Sequence, residues 1–562
     1  LVHSKLFLIK PEKTSSKEVM SRDGYAQKLA ISEQGKQLGF LFSSDTSKMK
    51  IYKLYYWEEK MDVAKELVNS ASVGMNKGWS VSENGRLYFS ENGERLFFST
   101  AVTPVKEPED TLLDEEKYKV DVWTWNDPYL QPMQKLQVKR EKMRAYLAVF
   151  FPDNNKMVQL ANLKMPEVQI FQDGNGEYAL GRSNLPYRKL ISWDQNRYTD
   201  YYLVDMNTGK AKMLVEKLSS RTSMSPKGKY MYWFDNRDNI WYAQNVKTGQ
   251  KIKLTSKINV AFYDETNDTP SYPRSYGSAG WLGEDDYFLV YDAFDLWKID
   301  PTEKKDAVNL TNAYGRENNI RLRYIQLDKE EESIALKEDM LLNGFHLKTK
   351  QGGFYSKKVE TSGDPSKIFM DDYRFYPPVK AKDNDLIIWR KGNFKEFPDL
   401  WISEIDFGNP TKISSANPQQ SEYNWGTVEL VEWISFDRKE LQGLLYKPED
   451  FDPSKKYPML VYFYDRESDG LHTHWIPAPK RSKINRTMEV SNGYLVFAPD
   501  IVYTDGYPGE SAYNAVVSGT MSLINNFDFI DKDRIGLNGQ SWGGYQIAYM
   551  VTKTNLFKCA YS

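Results

Sequence analysis

The chain has 562 residues, 40 % of them hydrophobic and 27 % charged, with a mean hydropathy of −0.64. That is the composition of a folded protein of several domains and excludes a disordered chain. Lysine plus arginine (75) against aspartate plus glutamate (77) leaves a formal charge of −2, so no global basic field exists to hold phosphate backbones, and nucleic acid is not an expected partner. The only cysteine, Cys559, rules out an intrachain disulfide and a thiolate metal site but does not fix the compartment.

The apolar stretches at 146–151 and 459–464 are far short of the ~18 residues of a membrane span, and none is expected. Leu1-Val2-His3-Ser4-Lys5 carries no signal-peptide pattern. A signal removed before this numbering remains compatible, and the reading leans to a periplasmic or secreted protein.

Aromatic residues reach 14 %, with Trp 15 and Tyr 38, and they cluster in short alternating segments, which predicts β structure. Lys229-Tyr230-Met231-Tyr232-Trp233-Phe234 and Asp286-Tyr287-Phe288-Leu289-Val290-Tyr291 are examples, bounded by turn residues such as Ser225-Pro226-Lys227-Gly228. No long amphipathic helix is expected before about residue 425.

A repeat emerges when the strands are aligned. Its clearest copies run from Asn239-Ile240-Trp241-Tyr242 to Leu254-Thr255, from Asp295-Leu296-Trp297-Lys298 to Leu310-Thr311, and from Asp399-Leu400-Trp401-Ile402 to Ile413-Ser414. Weaker copies begin near Ile51, Val122, Gln159, Tyr201 and Phe354, so the starts lie 37 to 71 residues apart and bracket the ~40 to 50 residues of a four-stranded propeller blade. A β-propeller of seven or eight blades over residues 1–425 is predicted, with residues 1–18 as a further partial copy. A sandwich array or β-solenoid is the alternative, disfavoured because a closed ring leaves few exposed strand edges.

The pattern changes near residue 426. Segments 428–437 and 441–448 read as two strands around an Asp437-Arg438-Lys439 turn, followed by buried-type strands at 459–464 and 493–499 and a helix over 512–529. A sheet covered by helices on both faces is expected for 426–562.

A third buried-type strand, Arg534-Ile535-Gly536-Leu537-Asn538, runs directly into Gly539-Gln540-Ser541-Trp542-Gly543-Gly544-Tyr545, a G-x-S-x-G between a predicted strand and a predicted helix. That context makes Ser541 a nucleophile at a strained turn, with Gly539, Gly543 and Gly544 allowing strand and helix to approach, and helix N–H groups facing the developing negative charge. Tyr464, at the end of an earlier strand, stands where a hydroxyl would serve as one oxyanion donor and the Trp542 N–H as another; packing against the sheet is its ordinary alternative.

Taken together, the propeller, the hairpin, Lys455-Lys456-Tyr457-Pro458 before its strand, Asp533-Arg534-Ile535-Gly536 and Gly-Gln-Ser-Trp-Gly-Gly-Tyr resemble the prolyl oligopeptidase family of serine peptidases. The resemblance implies Ser541 as nucleophile, with Trp542 and Tyr464 as oxyanion donors. Two positions depart from the family pattern: Asp465-Arg466 replaces the usual glycine pair, and Gln540 stands where a histidine is frequent.

In this fold the acid and histidine of the triad follow the serine, yet residues 542–562 contain no Asp, Glu or His. The hydrolase domain is therefore read as incomplete, and the chain as given is not expected to turn over. His472 and His474 are read as exposed loop histidines rather than as a base or a metal pair. Trp57-Glu58-Glu59 and Glu330-Glu331-Glu332 are read as solvated surface rather than as anchors for a substrate amino terminus. No metal and no cofactor is expected.

The predicted function is hydrolysis of peptide bonds in short peptides, with the propeller limiting access. An esterase on the same elbow and a non-catalytic peptide- or protein-binding scaffold are the alternatives.

Overall fold

Period-two alternation organises the first three quarters of the chain, and strands follow it. The structure, a computed structural model, describes residues 2–9, 16–47, 49–105, 111, 113–118, 120–337 and 339–562; residues 1 and 10–15 of the expected partial copy at 1–18 lie outside these. The chain forms two compact units, Leu1–Ser256 and Lys257–Ser562.

In the first unit, a hairpin of His3–Ile9 with Ser16–Asp23 precedes four antiparallel sheets over 25–68, 79–159, 167–218 and 222–253; strands pair in chain order in all but the five-stranded sheet over 79–159, where Trp79–Val81 and Tyr88–Phe89 both pair with Leu96–Val102. Three more four-stranded antiparallel sheets, over 278–309, 320–371 and 374–412, open the second unit. The alternating aromatics fill the space between sheets: Trp57, Trp233 and Trp281 are almost wholly buried, and sheets within a unit share apolar clusters such as Leu54, Tyr56, Phe98 and Phe150. Antiparallel propeller-type sheets followed by an α/β-hydrolase sheet are thus the fold class.

The repeat has a physical basis in side-chain ties between the third and fourth strands. The Asp295 carboxylate accepts from Thr311 Oγ1 (2.7 Å) and the Gly315 N–H (2.9 Å), while Thr311 Oγ1 accepts from the Leu296 N–H. Asp399 and Ser414 repeat the pattern, with Ser414 Oγ donating at 2.6 Å and accepting from the Leu400 N–H. In the sheet over 222–253, Thr255 accepts from the Trp241 N–H. Burial raises the Asp295 carboxyl above its ordinary value despite these donors.

Two repeat starts are corrected. Val122 lies in a segment without strand, where Val120, Val122, Trp123 and Trp125 alternate yet are all exposed, so the alternation has no strand to pair with. Gln159 ends the outer strand Lys156–Gln159; the third strand of that sheet is Tyr146–Phe151, displaced by the segment 103–145. That segment also carries a helix, Gln131–Lys142, which the sequence reading lacks. None of its residues is buried, so no apolar stripe marks it.

The remaining sheet has six strands: β1 (Thr427–Ile434), β2 (Glu440–Lys447), β3 (Tyr457–Tyr462), β4 (Leu495–Pro499), β5 (Ile530–Asn538) and β6 (Cys559–Tyr561). Their order is β1-β2-β4-β3-β5-β6; β1 and β2 form the expected antiparallel hairpin, and β4, β3, β5 and β6 run parallel. Helices α1 (Arg486–Ser491), α2 (Pro508–Asn526) and α3 (Trp542–Met550) connect them. Met459, Val461, Phe497, Ile535 and Leu537 from the parallel strands pack with Ala512, Val516 and Leu523 of α2 and Ile547 and Met550 of α3, each large side chain contributing about 1.5 to 3 kcal/mol on burial. Among the described residues no helix is long and apolar enough to cross a membrane.

Candidate active site

In an open parallel sheet, ligands bind beyond the carboxyl ends of the strands. The register pairs Tyr462 of β3 with Asn538 of β5, so the residues that follow, Phe463-Tyr464 and Gly539-Gln540-Ser541, leave the sheet side by side at that edge.

Ser541 sits between β5 and α3 with φ 57° and ψ −111°, a region that costs a side-chain-bearing residue about 1 to 3 kcal/mol. The local packing enforces it. A Cβ on Gly539 would lie 2.7 Å from the Gly543 carbonyl carbon, and one on Gly543 would lie 2.8 Å from the Phe463 carbonyl oxygen, so only glycine lets the turn close and the first turn of α3 rest on the backbone before Tyr464. At Gly544 the nearest atom would be Ser562 Oγ at 3.0 Å. Ser541 is exposed, as is Gln540 before it. The Trp542 backbone N–H opens α3, where no helical acceptor precedes it, and has no acceptor among the described residues. Tyr464 is 40 % exposed, and its hydroxyl has no hydrogen-bond partner among the described residues. An exposed serine hydroxyl, a free helix N–H and a half-exposed phenol therefore lie on one edge.

Three residues that the sequence reading did not single out fasten this edge. The Tyr503 hydroxyl donates to the Tyr464 carbonyl (2.5 Å) and accepts from Gln546 Nε2 of α3 (2.5 Å), while its ring meets Trp542 edge-on at 6.1 Å between centroids. Gln546 is fully buried, and burial raises the Tyr503 phenol above its ordinary value. The Tyr503 N–H donates to Asp268 (3.0 Å). The only signal for Tyr503 in the sequence was a tyrosine just past the 493–499 strand, at the same sheet edge.

The Asp465-Arg466 departure has a definite structural role. The Asp465 carbonyl accepts from the Ile501 N–H (2.9 Å), and Arg466 donates to Thr266 Oγ1 (2.9 Å) and lies 3.4 Å from Asp268. Burial raises the Asp465 carboxyl, and the neighbouring Asp268 charge adds to the effect. Farther along, buried Asp500 accepts from the N–H groups of Glu467 (2.5 Å) and Ser468 (2.7 Å) and from Ser468 Oγ, and burial raises its carboxyl as well.

The loop histidines are not exposed, contrary to the sequence reading. His474 stacks on Trp425 with centroids 4.8 Å apart and contacts the Asn393 carbonyl, while the His472 side chain keeps 14 % exposure, 3.9 Å from Asp372. The apolar neighbours His-Thr-His brings with it, Leu471 and Trp475, draw the loop inward. Burial lowers both imidazoles below their ordinary value.

Residues 503–562, which carry the elbow and Tyr503, match the prolyl oligopeptidase family. The chain is 30 % identical over 162 residues to dipeptidyl peptidase 8 of Homo sapiens, covering 27 % of this chain and 18 % of that protein. It is 23 % identical over 348 residues to dipeptidyl-peptidase 5 of Porphyromonas gingivalis, covering 57 % of this chain and 47 % of the relative, so the matched stretches span less than half of these curated relatives. The crystal structure of Porphyromonas gingivalis dipeptidyl peptidase 4 superposes with a TM-score of 0.53 at 12 % identity, over 95 % of this chain and 74 % of the other, a likeness of fold.

Proposed function

We propose that the protein is a serine peptidase that hydrolyses short peptides through an acyl-enzyme on Ser541, and that the hydrolase part begins at residue 426. The observation that carries the reading is the backbone of Ser541, held at φ 57° between a parallel strand and a helix, at the sheet edge where Tyr464 follows the neighbouring strand. Strain of this kind persists where surrounding structure over-determines it, and it lifts Oγ clear of both flanking elements.

In the reaction Ser541 Oγ attacks the scissile carbonyl as its proton passes to a general base, which the family resemblance gives as a histidine. The carbonyl oxygen gains negative charge and accepts from the Trp542 N–H and the Tyr464 hydroxyl; collapse expels the amine, which takes the proton held by the base, and water, deprotonated in turn by that base, then attacks the acyl group and frees Ser541. The family match and the dipeptidyl-peptidase relatives favour peptides over esters as substrates. The test offers the natural full-length protein a set of short peptides and their ester analogues. Peptide hydrolysis that vanishes in Ser541→Ala supports the reading; ester hydrolysis alone, or peptide hydrolysis that survives the substitution, contradicts it.

A further inference from the structure

A cavity of about 460 Å³ lies within the second unit, between the sheets over 320–371 and 374–412 and the segment that continues from Tyr464. Its size is that of a site for a small ligand or a few peptide residues. Arg321, Lys350, Arg374 and Arg466 line it, with Glu467 and Asp469.

The charges do not balance. Glu467 is held by Arg486 at 2.5 Å, Asp469 by Lys350 at 2.8 Å, and Arg466 by Asp268 at 3.4 Å. Arg321 and Arg374 have no carboxylate within ion-pair distance among the described residues. Both are nonetheless positioned: the Arg321 guanidinium lies over the Phe345 ring at 5.0 Å, and Arg374 donates to Thr473 Oγ1 at 3.0 Å. Lys350 is 95 % buried, so its pair with Asp469 is part of the wall. His472 Nε2, also on the wall, makes no hydrogen bond among the described residues and lies 3.9 Å from the Asp372 carboxylate. A planar anion with two acceptor oxygens is the ligand class that these two arginines favour, because guanidinium groups match a carboxylate in charge and geometry.

We propose that this cavity is a subsite for a carboxylate carried by the substrate peptide, either an Asp or Glu side chain or the terminal α-carboxylate. The segment from Arg466 onward forms one wall and begins two residues after Tyr464, so a peptide with its scissile bond at Ser541 has this cavity on the same sheet edge. The inference rests on the peptidase reading, but its test needs no turnover.

The Ser541→Ala form of the natural full-length protein is titrated calorimetrically with peptide pairs that differ by Glu or Gln at one position, each position in turn, with free and with amidated C-termini. One acidic position, or the free terminus, is expected to improve affinity about tenfold, and Arg321→Gln or Arg374→Gln to shrink that ratio below about threefold. A position effect identifies a side chain and an amidation effect the terminus. Differences below about threefold across all pairs overturn the proposal, as does a ratio that persists in both arginine variants. Failure of the peptidase reading shows instead as absent hydrolysis in the parent protein, whatever the binding ratios.

Discussion

Removing the Tyr503 hydroxyl alone, by Tyr503→Phe, separates a held oxyanion donor from a tyrosine that merely stands at the sheet edge. The ring stays against Trp542, so no cavity opens, but the Tyr464 carbonyl loses its donor and Gln546 Nε2 its acceptor. Gln546 is fully buried and its Oε1 already lacks a partner, so no alternative bond compensates within α3. Each buried polar group left without a partner costs about 1 to 3 kcal/mol, and the pair of lost bonds is expected to cost about 2 to 4 kcal/mol. The backbone of Tyr464 is then free to shift, and a small misplacement of an oxyanion donor lowers kcat about tenfold with little change in KM. Steady-state kinetics and thermal melting of the natural full-length protein provide the assay. Because Tyr503 is argued to act through Tyr464, the double variant Tyr503→Phe/Tyr464→Phe should be no slower than Tyr464→Phe alone. A fully additive double variant, or a Tyr503→Phe enzyme that melts earlier yet keeps its kcat, refutes the positioning role.

Tyr464→Phe itself is expected to lower kcat on the order of 10- to 1000-fold, with KM and melting temperature nearly unchanged, since the half-exposed ring remains and one transition-state donor is lost; unchanged kcat would move the second donor elsewhere. Ser541→Gly and Ser541→Ala should both abolish hydrolysis, but glycine relieves the φ 57° strain, and its variant is expected to be about 1 kcal/mol the more stable by denaturant unfolding. Equal stability of the two contradicts a strained elbow. Burial raises the Asp500 carboxyl above its value in the unfolded chain, so its contribution is fully present below the unfolded pKa and fades as pH rises through the folded one. Melting temperatures measured from about pH 4 to about pH 6 should therefore rise for Asp500→Asn relative to the parent as pH increases; a difference that falls with pH reverses the sign of the argument.

The hydrolase sheet was the most legible part of the chain, because parallel strands buried on both faces write themselves as unbroken apolar runs such as Met459-Leu460-Val461. The elbow was legible because the turn demands glycine at Gly539 and Gly543, where the structure leaves no room for a Cβ. The propeller-type sheets were legible through the Asp-Leu-Trp repeat, whose carboxylate and distant hydroxyl are bonded to each other. The failures have equally physical causes. Val122-Trp123-Thr124-Trp125 alternates like a strand but pairs with nothing, and the helix Gln131–Lys142 buries no residue and so leaves no stripe to read. Tyr503, Gln546 and Asp268 were invisible because their bonds to the Tyr464 segment and to one another join residues 39, 43 and 235 positions apart in the chain. The two loop histidines misled because a polar loop drawn inward by Leu471 and Trp475 looks, in sequence, like any exposed turn.

The central claim is that Ser541 is an activated nucleophile. It is tested most directly by treating the natural full-length protein with a fluorophosphonate probe and mapping the adduct by mass spectrometry. A single adduct on Ser541, absent from Ser541→Ala, is the predicted result, because an elbow serine beside its base reacts far faster than a surface hydroxyl. An unlabelled protein, or labelling that persists unchanged in Ser541→Ala, would contradict the account.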